Sequence, residues 1–165
     1  MAHEPRWLDA QERQTWLSLG AMLINLQSAL DAQMQRDQGI SHFEYQVLAG
    51  LSEAADHTRR MSELAGLANG SLSRLSHVVK RLERLGWVRR LPDPDDGRYT
   101  LAVLTEEGFA KVAEAAPAHV EEVRRLVFDP LTRAQQTTLR SITERINRAV
   151  DPDRDEPDRP PRPPQ

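Results

Sequence analysis

The sequence contains no cysteine. That absence excludes a disulfide framework, a thiolate metal site, a cysteine nucleophile and a thiol redox sensor. Long apolar runs are missing too: no stretch approaches the roughly 18 residues needed to span a bilayer, so no membrane partner is expected. The opening Met-Ala-His-Glu-Pro-Arg-Trp has no basic start followed by an apolar stretch, so no secretory signal is read and a cytoplasmic location is expected. There is no Gly-rich phosphate loop and no Ser, His and Asp order suggesting a triad. The five histidines, His3, His42, His57, His77 and His119, fall on different elements and none has the spacing of a zinc motif, although folding could bring His42 and His119 together. Neither an enzyme, nor a cofactor, nor a bound metal is expected.

What is present is enough for one domain: 165 residues, 39% of them hydrophobic. The net charge of −3 conceals a segregation, because residues 1–56 carry net −5, residues 57–100 net +4, residues 101–150 balance and residues 151–165 carry net −2. Charge asymmetry of this kind points to a basic surface on one part of a neutral body. Arginines outnumber lysines 20 to 2, which reads mostly as the codon bias of a GC-rich genome, although arginine also suits phosphate and guanine contacts better than lysine.

The dominant period is helical. Trp16, Leu19, Leu23, Leu26, Leu30 and Met34 make one stripe on a helix of about 25 residues, with Leu17 and Ile24 off the stripe and Gly39 as its stop. The segment before it, up to about Asp9, reads as loosely held. Ser41-His-Phe-Glu44 reads as a capping box. The helix it opens buries Phe43, Val47, Leu48 and Leu51. A short helix over Met61–Ala68, an Asn69-Gly70 turn and a helix from Ser71 to about Leu85, stopped by Gly86, form a helix–turn–helix. Strands over Trp87–Leu91 and Arg98–Val103 flank a Pro92–Gly97 turn. Thr105 starts a helix carrying Phe109, Val112, Ala116, Val120, Val123 and Val127, with a bend expected at Pro117. A last helix covers Arg133–Val150. Residues 151–165 hold 6 of the 11 prolines and read as a disordered tail. The long apolar seams of the terminal helices suggest an interface with a second copy.

The helix after Asn69-Gly70 is the most informative. Leu72, Leu75, Val78, Val79, Leu82 and Leu85 read as its core face. Ser73, Arg74, Ser76, His77, Lys80, Arg81 and Arg84 lie opposite, an arrangement suited to a DNA major groove. Arg89, Arg90 and Arg98 border a hairpin of a kind that enters a minor groove. Three carboxylates, Asp93, Asp95 and Asp96, oppose that reading unless one of them, Asp96, holds an arginine in place.

Ser73-Arg74, Arg81-Leu-Glu83, Gly86-Trp-Val-Arg89, Asp96-Gly-Arg98 and Leu104-Thr105-Glu-Glu-Gly108 together resemble the MarR (multiple-antibiotic-resistance regulator) family over roughly residues 10–150. Trp87 and the Asn69-Gly70 turn depart from the family pattern. The resemblance implies a mainly α fold with a small β-hairpin wing, a winged helix–turn–helix. Its regions would be a dimerisation helix over 10–38, the DNA-binding region over 41–104, C-terminal dimerisation helices over 105–150 and the tail 151–165. It implies a homodimeric regulator bound to double-stranded DNA at a pseudo-palindromic operator, a repressor released by a small, often aromatic effector. Ser71, Ser73, Arg74, His77 and Arg81 would face the major groove, with Ser76 and Lys80 beside them. Arg98 would be the wing-tip arginine, flanked by Arg89, Arg90 and Asp96. Trp16, His42, Phe43 and Tyr45 would line the effector pocket. The alternative is a winged-helix interaction module that does not read DNA. An exposed face of Arg74, Lys80, Arg81 and Arg84 without an aromatic argues against it.

Overall fold

The computed structural model describes residues 5–68 and 70–151. Asn69 and the tail beyond Asp151 therefore lie outside the described residues. Elements follow in the order α1 (Ala10–Gln38), α2 (His42–Ser52), β1 (Thr58–Arg60), α3 (Met61–Leu67), α4 (Leu72–Arg84), β2 (Val88–Pro92), β3 (Thr100–Leu104), α5 (Glu106–Val123) and α6 (Arg133–Val150), with a π-helical turn at Arg124–Phe128 after α5. The chain falls into two compact units, Met1–Glu122 and Val123–Gln165.

Three of the helices start with the same reciprocal cap. Asp9 and Glu12 open α1, Ser41 and Glu44 open α2, and Thr132 and Gln135 open α6. In each, two orphan amides of the first turn find side-chain acceptors. Asp9 is thus tied into the start of α1 rather than loosely held, and α1 runs to 29 residues. Gly39 and Gly86 close α1 and α4 with φ of 67° and 78°, the left-handed backbone that a side chain disfavours.

In the first unit, α2, α3 and α4 pack Val47, Leu48, Leu51, Leu64, Leu75, Val79 and Leu82 into a core with no solvent exposure. Each such aliphatic side chain contributes about 1.5–3 kcal/mol through burial. Two residues read as core from sequence, Leu72 and Leu85, are exposed instead. They stand in the first turn of α4 and just beyond its last. Only Leu30, Gln33 and Met34 of α1 are buried, whereas Trp16, Leu17, Leu23 and Ile24 of its first half are exposed.

The expected two-stranded hairpin is a three-stranded antiparallel sheet in the order β1-β3-β2. Thr58 lies opposite Val103, and Val88 opposite Leu104. β1 has only three residues, too few to show a period, and it forms because the outer edge of β3 offers unpaired backbone groups. Behind the sheet, Gly108 in the first turn of α5 lies so close to the strand entry that a Cβ would stand 2.1 Å from the Trp87 carbonyl oxygen. Lys111 of α5 donates to Gln38 Oε1 at the end of α1, at 2.7 Å.

In the second unit, α6 is a regular helix over the residues expected, preceded by the π-helical turn, which the simple three- and four-residue spacing does not reveal. Ile142, Ile146 and Val150 are exposed on α6. Among the described residues, no helix is long and apolar enough to cross a membrane.

Candidate nucleic-acid interface

The outward side of α4 and the β2–β3 wing carry the cationic residues. Ser71 caps α4, its hydroxyl accepting from the Arg74 amide at 3.2 Å. Ser73, Arg74, His77 and Lys80 are exposed, and Ser76 is half-buried. The Arg74 guanidinium lies 4.1 Å from the centre of the Phe43 ring, a cation–π contact that limits its rotamers. Arg81 donates through Nη1 to Glu44 Oε1, forming an ion pair with a buried carboxylate. Neither contact is legible from sequence, because the partners are more than 30 positions apart and no local pattern links them.

Glu83, the single acid on this side of α4, ties the helix to the wing. Its Oε2 accepts from Arg90 Nε at 3.0 Å and Nη2 at 2.6 Å, and the Arg90 side chain holds its carboxyl below the usual carboxylate range. Arg90 is thereby paired within the chain, and Arg89 is not tied to Glu83; both are exposed.

The wing carboxylates are mostly neutralised from within. Asp96 accepts from Arg98 Nε at 2.9 Å and Nη2 at 2.6 Å, and also from the Arg98 amide at 3.2 Å. The Arg98 side chain, then its amide, brings the Asp96 carboxyl down to about 2. The Arg98 side chain remains 85% exposed, so its guanidinium is oriented from behind yet open in front. Asp93 is buried, accepting from the Asp95 amide at 3.0 Å and from Arg60 Nε at 2.7 Å. These two donors, the amide first, hold its carboxyl below the ordinary range. Arg60 also lies 4.7 Å from the Tyr99 ring centre. The sequence reading missed Arg60, which belongs to the unrecognised strand β1, and so took Asp93 only for a carboxylate opposing DNA rather than for its partner.

Within the single chain, the four residues expected to line an effector pocket lie in three places. His42 and Tyr45 converge on His119 of α5, with ring centres 5.2 Å and 4.6 Å away. His42 and His119 each bury an Nδ1 that has no hydrogen-bond partner. Burial lowers the pKa of both; His119 reinforces this at His42, and Asp31 opposes it. Burial raises the Tyr45 hydroxyl. Phe43 turns instead beneath Arg74. Trp16 is exposed on α1, about 21 Å along the axis from the first buried residue, Leu30, at 1.5 Å per residue. Among the described residues, no group of three or more His, Asp or Glu is placed to hold a metal ion.

Comparison with known proteins fits this arrangement. The MarR family model matches residues 40–100, from the residue before the α2 cap to the first residue of β3. Sco3205, a MarR family transcriptional regulator from Streptomyces coelicolor solved in complex with DNA, is 43% identical, with a TM-score of 0.86 over 91% of this chain and 94% of its own. The HTH-type transcriptional regulator PecS of Dickeya dadantii is 29% identical over 132 residues, 79% of this chain and 78% of PecS. The transcriptional repressor MprA of Escherichia coli is 25% identical over 118 residues, 72% of this chain and 66% of MprA. With the capped helix–turn–helix, the three-stranded wing and an identity that runs through nearly the whole of both chains, the protein belongs to the MarR family of transcriptional regulators.

Proposed function

We propose that two copies of this chain form a sequence-specific reader of double-stranded DNA that represses transcription from a pseudo-palindromic operator. The observation that carries the reading is Arg98: a guanidinium aligned by Asp96 and 85% exposed at the tip of a hairpin. Such a group meets the narrow minor groove with little ordering left to do. In this reading α4 enters the major groove with Ser71, Ser73, Arg74, Ser76, His77, Lys80 and Arg81. Phosphate contacts supply affinity and a steep salt dependence, and contacts from Ser73, Arg74 and His77 supply sequence preference. Arg89 adds positive potential along the wing, and Arg90, paired with Glu83, ties the wing to α4. The 43% identical relative solved with DNA supports the reading, and the similarity to the repressor MprA supports its sign.

The exposed apolar residues of α1 and α6 support dimerisation, each helix being covered by the second copy. The unpartnered imidazole nitrogens beside Tyr45 support a small effector with a polar group, bound at His42 and His119. Binding there would change the separation of the two reading helices, which must match grooves about 34 Å apart.

The test is an operator selection from a random duplex pool, followed by anisotropy with the selected site. Arg98→Ala is expected to lose about tenfold or more in affinity with the dimer intact. Unchanged affinity would remove the wing from the mechanism, and no enrichment from a folded dimer would overturn the reading.

A further inference from the structure

The first turn of α2 faces two ways. His42 and Tyr45 meet α5, while the adjacent Phe43 and Glu44 hold two arginines of α4. Arg74 and Arg81 are seven residues apart, two turns on one face of α4. A single short stretch of α2 therefore orients two cations on the same stripe of the reading helix.

Glu44 does more than its capping role requires. Its Oε2 completes the cap, accepting from the Ser41 amide at 2.8 Å and the Ser41 hydroxyl at 3.1 Å. Its Oε1 takes Arg81. A neutral amide suffices for the cap, as α6 demonstrates: Gln135 Oε1 accepts from the Thr132 amide at 2.9 Å and its hydroxyl at 3.1 Å in the same box. A carboxylate only 2% exposed is costly to bury unless paired, and its partner here is Arg81, whose side chain is 47% exposed. One side of that guanidinium is anchored while the rest stays open to solvent.

We propose that Glu44 is a specificity-determining positioning residue, which fixes the Arg81 guanidinium and offsets its charge so that Arg81 does not bind phosphate indiscriminately. This rests on the reading of α4 as the DNA-binding helix. A free Arg81 would sweep across neighbouring phosphates and strengthen binding to any duplex. The anchored one favours the duplex whose groove places an acceptor at its open edge.

Glu44→Gln separates the two roles, keeping the cap and removing the anion. Affinity for the selected operator and for a scrambled duplex is measured by anisotropy over a salt series. The variant is expected to bind the scrambled duplex more tightly, with a salt slope steeper by about 0.9, and its operator-to-scrambled ratio should fall about tenfold. In an Arg81→Gln background, Glu44→Gln should change neither slope nor ratio. Equal shifts on both duplexes without a change in slope, even with a lower melting temperature, would overturn the proposal and leave Glu44 a structural cap. If Glu44→Gln fails to fold, Arg81→Gln alone must lower the operator affinity more than the scrambled, and an unchanged ratio overturns the proposal. A wild-type protein that prefers no duplex would instead refute the DNA reading itself.

Discussion

Gly108→Ala sets two physical effects of opposite sign against each other. Gly108 lies in the first turn of α5. Helix propensity alone favours alanine there by about 0.8–1.0 kcal/mol. The surroundings oppose it: the new Cβ would stand 2.1 Å from the Trp87 carbonyl oxygen and 2.7 Å from Leu104 Cδ1. The leucine methyl can rotate, but the carbonyl is held, since it accepts the Thr105 amide at 3.0 Å while the next carbonyl back, Gly86, accepts the Thr105 hydroxyl at 2.7 Å. Overpacking of this kind costs about 1–3 kcal/mol. The displaced backbone hydrogen bond adds about 1 kcal/mol. Set against the propensity gain, the net loss is about 1–3 kcal/mol, a melting temperature lower by about 2–12 °C for a chain of this size. Calorimetry and urea unfolding measure it. Gly66→Ala on α3, where a Cβ meets nothing within 4 Å, is the control and should gain up to about 1 kcal/mol. A Gly108→Ala protein that melts at or above the wild type would refute the packing argument.

Further tests probe the wing and the buried histidines. Carbon-detected NMR should find the Asp96 carboxyl at about 2, returning toward 3.8 in Arg98→Ala. The depressed value means that the pair is intact at neutral pH and is lost only as pH falls through about 2; an unshifted carboxyl in the wild type would show that the two side chains are not paired in solution. Asp93→Asn should speed amide exchange across the wing turn, most at Asp95 and Tyr99, while α4 stays protected; uniform exchange would deny Asp93 its local role. For His42 and His119, whose pKa values are lowered on folding, the unfolded chain binds more protons below the ordinary 6.5. Stability is therefore complete above that value and declines as pH falls through the folded pKa values. His119→Phe should flatten the decline, leaving His42 with Asp31 as its charged neighbour. A melting temperature that is level from pH 7.5 to 5 in the wild type would contradict the burial of both rings.

How much was legible in the sequence depended on how local each cause is. The Ser41 and Glu44 cap, the Gly86 stop and the whole of α6 follow from interactions within four residues, and their spacing shows them. The Asp96 and Arg98 contact is two residues long and equally readable. Beyond that range the pattern is silent. Nothing in Thr58-Arg59-Arg60 announces a strand until β3 supplies the edge, and nothing near Arg81 names Glu44, 37 positions away. The apolar stripe on α1 was visible, but periodicity cannot say what covers it, and in the single chain its first half is bare. Trp16 is grouped with His42 and Tyr45 by resemblance, but α1 meets His42 at Asp31, which accepts its amide, and within one chain Trp16 stands about 22 Å up the helix from there.

The pairing of Arg60 with Asp93 has a consequence for anyone wishing to retarget the protein. The hairpin over 88–104 invites treatment as a portable cassette, since both strands and the turn are contiguous. Its buried aspartate, however, is completed by a side chain from 33 positions upstream, on the opposite edge of the sheet. A donor hairpin grafted without its own residue at position 60 would leave that carboxylate short of a partner, or the host arginine facing a group that cannot accept. The transferable unit is the hairpin together with β1, two segments separated by the reading helix itself.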